Sequence, residues 1–473
     1  MLIDALTTRC DELGPESRYC LACFVLSFGY RESEGLSTKE MAQSFGVSEP
    51  VMSAALKALV AVGALICRSE LTGNRGRAGR CYRASKEWIK GDSDSCLLVA
   101  ESPSCHVEAI AELLQQPRVT TERPPVDYPT EADCEDVQLE RARVRGRAVR
   151  KTRQVGRLSN VNRLIMAVLL CRADRLGVVR TLGHADLSKL TGLTSERLSN
   201  RIKTLLSGGL IRAYVPGATS TALFRPTKSF YFLNLGHPDL SGVCQLVTAI
   251  VLPYPWEGEE IEGEAAVRFR DTASSGDRFL QFFNDKHRSA VSRIYQVKVD
   301  EYASCLLSTN WYSLHDKPHK PNSGLNKQIR EDFQPPRSTI KSEADTFPDV
   351  SESKQLMKSL YSAALRKAQR IKEAMQSVDS SEFQSMDHLI LPNPVVLDGG
   401  QTVYPFMSVL SAPRDSSKGG CHVVDLRESH PVFFSTEQDI PLEDRYCYGL
   451  LTPPEGQLIV VALSNGDVRI VRR

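Results

Sequence analysis

Ser195, Arg197, Ser199, Asn200 and Lys203 fall on the outward side of one short helical run, TSERLSNRIKTLL. Arginine can donate two parallel bonds to guanine, and asparagine can bond adenine in the same bidentate way. The set therefore suits the edges of base pairs in a major groove. Arg201 and Lys203 are alternatively suited to phosphates. A solvated polar helix face is the competing reading of the same residues. Base reading needs a helix whose first turns enter the groove while a preceding helix crosses the backbone.

The sequence supplies that preceding helix twice. The run Leu36–Arg68 and the run Leu182–Ala213 align without a gap at an offset of 146 residues. Leu36, Gly46, Ser53, Lys57, Leu59 and Gly63 match Leu182, Gly192, Ser199, Lys203, Leu205 and Gly209. A repeat of this kind predicts a repeated structural unit. In the first copy, Ser37 to Glu40 has the S-x-x-E form of a capping box. Gly46 ends that helix, and Ser48 with Pro50 opens the next. Met52, Ala55, Leu56 and Leu59 recur at helical spacing. Gly63 closes the helix, and a strand pair follows around the Gly-rich stretch 73–79.

Helix, helix, short turn, helix and β-hairpin, found twice, resembles the winged helix-turn-helix domain of bacterial transcription regulators, nearest to the MarR- and GntR-like groups. Each copy covers about 70–80 residues on the domain sizes of that resemblance. The resemblance implies a sequence-specific double-stranded DNA-binding transcriptional regulator, cytoplasmic and not an enzyme. Plasmid or mobile-element replication initiators also resemble two linked winged helices, and they form the alternative. Since one fold serves many purposes, a protein-interaction module is the third reading.

The two copies differ in what they offer DNA. Outward in the first copy stand Glu49, Pro50, Val51, Ser53, Ala54 and Lys57, a set poor in donors. Its hairpin compensates with Arg68, Arg75, Arg77, Arg80 and Arg83 around NRGRAGR. Arginines on such a tip suit a narrow minor groove or its flanking phosphates. The second hairpin carries only Arg212 and Arg225 at its base. The expected DNA contacts are thus Ser195, Arg197, Ser199, Asn200 and Lys203 for base reading. Ser53, Lys57, Arg75, Arg77 and Arg80 complete the set from the first copy.

Net charge is +2 over 473 residues, so the case for nucleic acid rests on local patches. One is RARVRGRAVRKTRQVGR at 141–157, with eight basic residues and no acid. It reads either as a solvated segment or as a phosphate-binding arm. The 13 cysteines are scattered, and Cys20 and Cys23 form a CxxC inside an apolar helix with no second pair at zinc spacing. Buried free thiols are expected, with no metal and no cofactor. The start, MLIDALTTRCDELG, lacks the pattern of a signal peptide, and no apolar run suits a membrane span.

The fold class expected is α+β: two winged helix-turn-helix domains followed by a helical segment and a β-rich C-terminal domain. The expected boundaries are 1–114 for the first winged-helix domain, 115–157 for a linker with the basic run, and 158–237 for the second winged-helix domain. A helical region and loop at 238–350, a helix with a heptad seam at 351–380 and the β-rich domain at 381–473 follow. The seam, Met357, Tyr361, Ala364, Ala368, Ile371, Met375 and Val378, suits packing on its own domain or a homodimer coil. The last domain is expected to sense a ligand, dimerise, or touch RNA polymerase or another regulator. Its ending, GQLIVVALSNGDVRIVRR, is similar to a strand pair of self-cleaving repressor peptidases, with Arg472 where those carry a catalytic lysine. A guanidinium stays protonated and cannot serve as general base, and no nucleophile motif precedes it.

Overall fold

Ser37 opens the first copy by the capping box that its sequence predicts. The Glu40 backbone N–H donates to Ser37 Oγ at 3.2 Å, and Glu40 Oε2 accepts from the Ser37 backbone N–H at 2.7 Å. These bonds hold the Glu40 carboxyl below its ordinary range. In the second copy Gly183 replaces Ser37, so only half of the box remains: Gly183 N–H donates to Asp186 Oδ2 at 3.2 Å.

The computed structural model describes residues 1–33, 36–70, 79–90, 105–115, 158–218, 225–240, 244–253, 288–316, 321–333, 350–375, 383–392, 397–398, 400–401, 406–415, 418–426, 431–453, 458–462 and 468–472. The basic run at 141–157, Arg75, Arg77 and Val378 lie outside them. The chain mixes helices and strands in an α+β fold and divides into two units, Met1–Asp174 with Leu182–Ile211, and Arg175–Thr181 with Arg212–Arg473.

The first unit holds α1 (Leu2–Thr7), α2 (Pro15–Phe28), α3 (Thr38–Phe45), α4 (Glu49–Ala61), β1 (Leu65–Glu70), β2 (Gly79–Ala84) and α5 (Lys86–Lys90). It continues with α6 (Val107–Gln115), α7 (Asn160–Leu170), α8 (His184–Thr191) and α9 (Ser195–Ser207). Helix α2 begins at Pro15, where a missing N–H costs nothing, and buries Tyr19 to Val25 almost entirely. Both copies turn between their second and third helices through a left-handed glycine, Gly46 at φ 68° and Gly192 at φ 69°. That backbone region favours residues without a Cβ. Underneath, Met52, Leu56 and Leu59 in α4, and Leu198, Ile202 and Leu205 in α9, form matching buried stripes. β1 and β2 pair antiparallel, and Glu32 bridges to Arg83 on the free side of β2.

The second unit begins with β3 (Val178–Val179), β4 (Ile211–Val215) and β5 (Phe230–Leu233), a sheet of order β3-β5-β4. Val178 stands at the same 146-residue offset from Glu32, so both copies place the strand that precedes the second helix beside the last strand of the hairpin. A five-stranded sheet of order β12-β11-β6-β10-β7 follows. It is built from β6 (Val247–Pro253), β7 (Met386–Ile390), β10 (Phe406–Pro413), β11 (Cys421–Asp425) and β12 (Val432–Phe434). The short pairs β8 (Leu397–Asp398) with β9 (Gly400–Gln401), and β13 (Leu458–Ala462) with β14 (Val468–Arg472), stand apart from it.

Alternation along β6 defines two cores. Ile250 and Leu252 face α10 (Arg288–Asn310), α11 (Ser323–Asp332) and α12 (Val350–Met375), whereas Val247, Ala249 and Val251 face the β3-β5-β4 sheet and α13 (Leu442–Cys447). Because both faces are covered, the strand reads as an apolar run interrupted only by Thr248. β6 therefore sits mid-sheet although the sequence shows its region only as helix and loop: the alternating polar residues that mark a half-solvated strand are missing. The heptad seam resolves in favour of its own domain. Of its residues, Ala364, Ala368, Ile371 and Met375 are buried in the first of these cores, and Met357 and Tyr361 are partly buried against it.

Candidate nucleic-acid interface

Helix α9 is held from three sides, which determines which of its side chains remain outward. Thr194 caps it, with its hydroxyl accepting from Arg197 N–H at 3.4 Å. Leu198, Ile202 and Leu205 anchor the inner face. Ser195, Arg197, Asn200 and Lys203 are exposed, so four of the five residues expected to read bases stand on the surface. Ser199 differs. It is half-buried, donates to the Ser195 carbonyl at 2.9 Å and meets His184 Nε2 at 3.2 Å. Its place is in the seam between α8 and α9, and the reason is angular, since Ser195 and Ser199 share the flank next to α8 rather than the outer face. His184 also approaches Ser195 Oγ at 3.5 Å, and burial lowers its pKa below the ordinary histidine value. The sequence gives no signal for this role, because His184 stands where the first copy has Thr38.

In α4, Lys57 and Ala54 are exposed, while Ser53 is half-buried like its counterpart Ser199. Ser48 takes the N-cap position by backbone geometry, but its side chain makes no capping bond. Arg80 is exposed on β2, opposite Ser69. Arg68 is engaged in an ion pair with Glu32 at 3.2 Å. Arg212, expected at the base of the second hairpin, is not at the surface at all. It is 2% exposed, bonds Glu437 Oε2 at 2.6 Å, and donates to the Leu450 carbonyl at 3.0 Å. The sequence does not mark this, since Arg212 sits in a strand and its partner Glu437 lies 225 residues away.

The two copies pack on one another by a reciprocal pattern. Asn160, at the start of α7, donates through Nδ2 to the Gly46 carbonyl at 3.1 Å. Gly14 precedes α2 as Asn160 opens α7, at the same offset, and Gly192 matches Gly46. A Cβ placed on Gly192 would lie 2.3 Å from the Leu13 carbonyl and 3.2 Å from the Gly14 carbonyl carbon. So each copy's turn glycine meets the other's first-helix start. α2 and α7 pack together, with α1 and α6 each reaching the other copy's first helix. Beside this junction lies a cleft of about 250 Å3, lined by Glu16, Tyr19, Ser48, Val51, Asn160 and Arg201 among others.

Cys20, Cys23 and Cys171 are buried in the same unit. Burial pushes the Cys23 and Cys171 thiols up to about 12 and raises Cys20 as well, which leaves them protonated and unreactive. No group of three or more metal-ligating side chains occurs among the described residues, and no described helix is long and apolar enough to cross a membrane. No family model matches the chain, and no curated protein or solved structure matches it either.

Proposed function

We propose that the chain is a sequence-specific double-stranded DNA-binding regulator of transcription, built from two winged helix-turn-helix copies and a C-terminal regulatory domain. The observation that carries this reading is the outward row Arg197, Asn200 and Lys203 on a helix that follows a left-handed turn and rests on a buried stripe. Arg197 and Asn200 are the base readers. Lys203 contributes phosphate neutralisation. The shared strand order, with a strand before the second helix lying beside the last hairpin strand, supports the winged form in both copies. Arg75, Arg77 and Arg80 are the cations for the flanking backbone. The protein acts in the cytoplasm without cofactor or catalysis. RNA polymerase or another regulator is the partner of the C-terminal domain, with a homodimer through that domain as the alternative.

A second reading has its own support. The reciprocal packing of two copies whose outward faces differ in chemistry makes one chain a self-contained module with unlike halves. Replication initiators that bind direct repeats need such a module, whereas a palindrome calls for a symmetric dimer.

The test is to retain fragmented host genomic DNA on the purified full chain and sequence what is bound. The expected result is a few short enriched sites whose affinity falls with salt, with log K dropping about 0.9 per neutralised phosphate contact against log salt. A promoter-proximal site marks the regulator, and several direct repeats mark the initiator. Absence of any enriched site overturns both.

A further inference from the structure

We infer that each chain reads one major groove through α9 alone, with the first copy acting as its intramolecular partner and not as a second reader. The target is then an asymmetric duplex site contacted along a single groove per chain. This rests on the DNA-binding reading above and specifies its geometry.

The inference comes from where the third helices lie. Paired helix-turn-helix units that read two half-sites must present their reading helices one DNA turn apart, about 34 Å. Here Ser48 and Val51 of α4 line the same local cleft as Arg201 of α9, so side chains of the two helices share one space. Side chains that wall a single cleft stand much closer than a DNA turn. The reciprocal junction of Gly46 with Asn160 and of Gly192 with Leu13–Gly14 fastens the copies at the turns that lead directly into these helices. A groove about 12 Å wide admits one helix of about 10–12 Å diameter, not two abreast. At most one of the two can therefore enter a given groove.

Chemistry selects α9. At the shared offset, Val51 and Ala54 stand where α9 has Arg197 and Asn200. Neither side chain can donate a hydrogen bond to a base edge. Ala55, the counterpart of Arg201, is buried with the inner stripe of α4, so the first copy has no cation at that position. The first copy has the helices of a reader and the contacts that fix its neighbour, without a reading surface.

Two measurements test this on the full chain. Spin-labelled residues incorporated at Ala54 and Asn200, in the absence of DNA, are expected to give a distance well below the about 34 Å of a half-site pair. A distance at or above that value overturns the inference whatever the chain binds. On an enriched duplex, methylation interference is expected to show one run of guanine contacts per bound chain, without dyad symmetry. Two runs centred about 10 base pairs apart for one chain would overturn it while leaving the DNA-binding reading intact. If no duplex is enriched, the DNA-binding reading fails and the groove assignment fails with it, whereas the label distance still reports the pairing itself.

Discussion

Asn160 and Gly46 lie 114 residues apart in sequence and 3.1 Å apart in space, joined by a side-chain amide that donates to a backbone carbonyl. The bond ties the first helix of one copy to the turn of the other. With the mirrored contact of Gly192 against Leu13 and Gly14, it makes the tandem repeat a pair with approximate two-fold symmetry inside a single chain.

Removing the amide should loosen the pair without dismantling either copy. Asn160→Ala is expected to cost about 1 kcal/mol, the usual net worth of one hydrogen bond, in a urea denaturation series. No change in the midpoint would show that the bond contributes nothing.

Gly192→Ala should be far more damaging than Gly63→Ala, although both glycines are left-handed, at φ 69° and 76°. At Gly63 a Cβ meets nothing within 4 Å, so only backbone strain of about 1–2 kcal/mol is expected. At Gly192 the Cβ strikes the Leu13 carbonyl, and about 2–4 kcal/mol is expected. Thermal unfolding of the two variants side by side decides it, and equal losses would mean that the junction is not tight.

In the second unit, Arg212 and Glu437 form an ion pair with both side chains almost wholly buried, at 2% and 0% exposure. Glu437→Gln leaves the guanidinium without its counter-charge and should destabilise that unit by about 3–5 kcal/mol. Arg212→Met combined with Glu437→Leu should recover part of that loss, because no uncompensated charge remains. A double variant worse than the single one would contradict this.

His388 is buried, its Nε2 facing the Phe383 carbonyl at 2.9 Å and its Nδ1 facing Ser411 Oγ at 2.8 Å. Burial lowers its pKa to about 4. The unfolded chain takes up this proton below the ordinary value of 6.5, while the folded chain does not until about 4. The stability this group contributes is therefore complete above pH 6.5 and declines as pH falls through that window, by an amount on the order of 3 kcal/mol. Denaturation at stepped pH should show the decline, and His388→Gln should flatten it. An unchanged slope in the variant would assign the effect elsewhere.

Much of the first unit is legible in the sequence because its signals are local. The glycines at 46, 63, 192 and 209, the Ser37–Glu40 box and the apolar stripes of α4 and α9 act within a few residues. The exposed row Arg197, Asn200 and Lys203 follows from helical period alone. What escapes the sequence depends on distant partners. Nothing local marks Ser199 as a partner of His184, Arg212 as a partner of Glu437, or β6 as the middle of a sheet completed from beyond residue 386. The short helices α6 and α13 escape for the same reason, since their burial depends on packing by remote elements.

The central claim is that Arg197 and Asn200 read bases. Binding-site selection from a random duplex pool, run in parallel for the unaltered chain and for Arg197→Ala with Asn200→Ala, tests it most directly. Each lost bidentate contact should relax discrimination at its own base pair by about 1–3 kcal/mol while general affinity for duplex survives. Selected sites identical in sequence and strength for the two proteins would contradict the account.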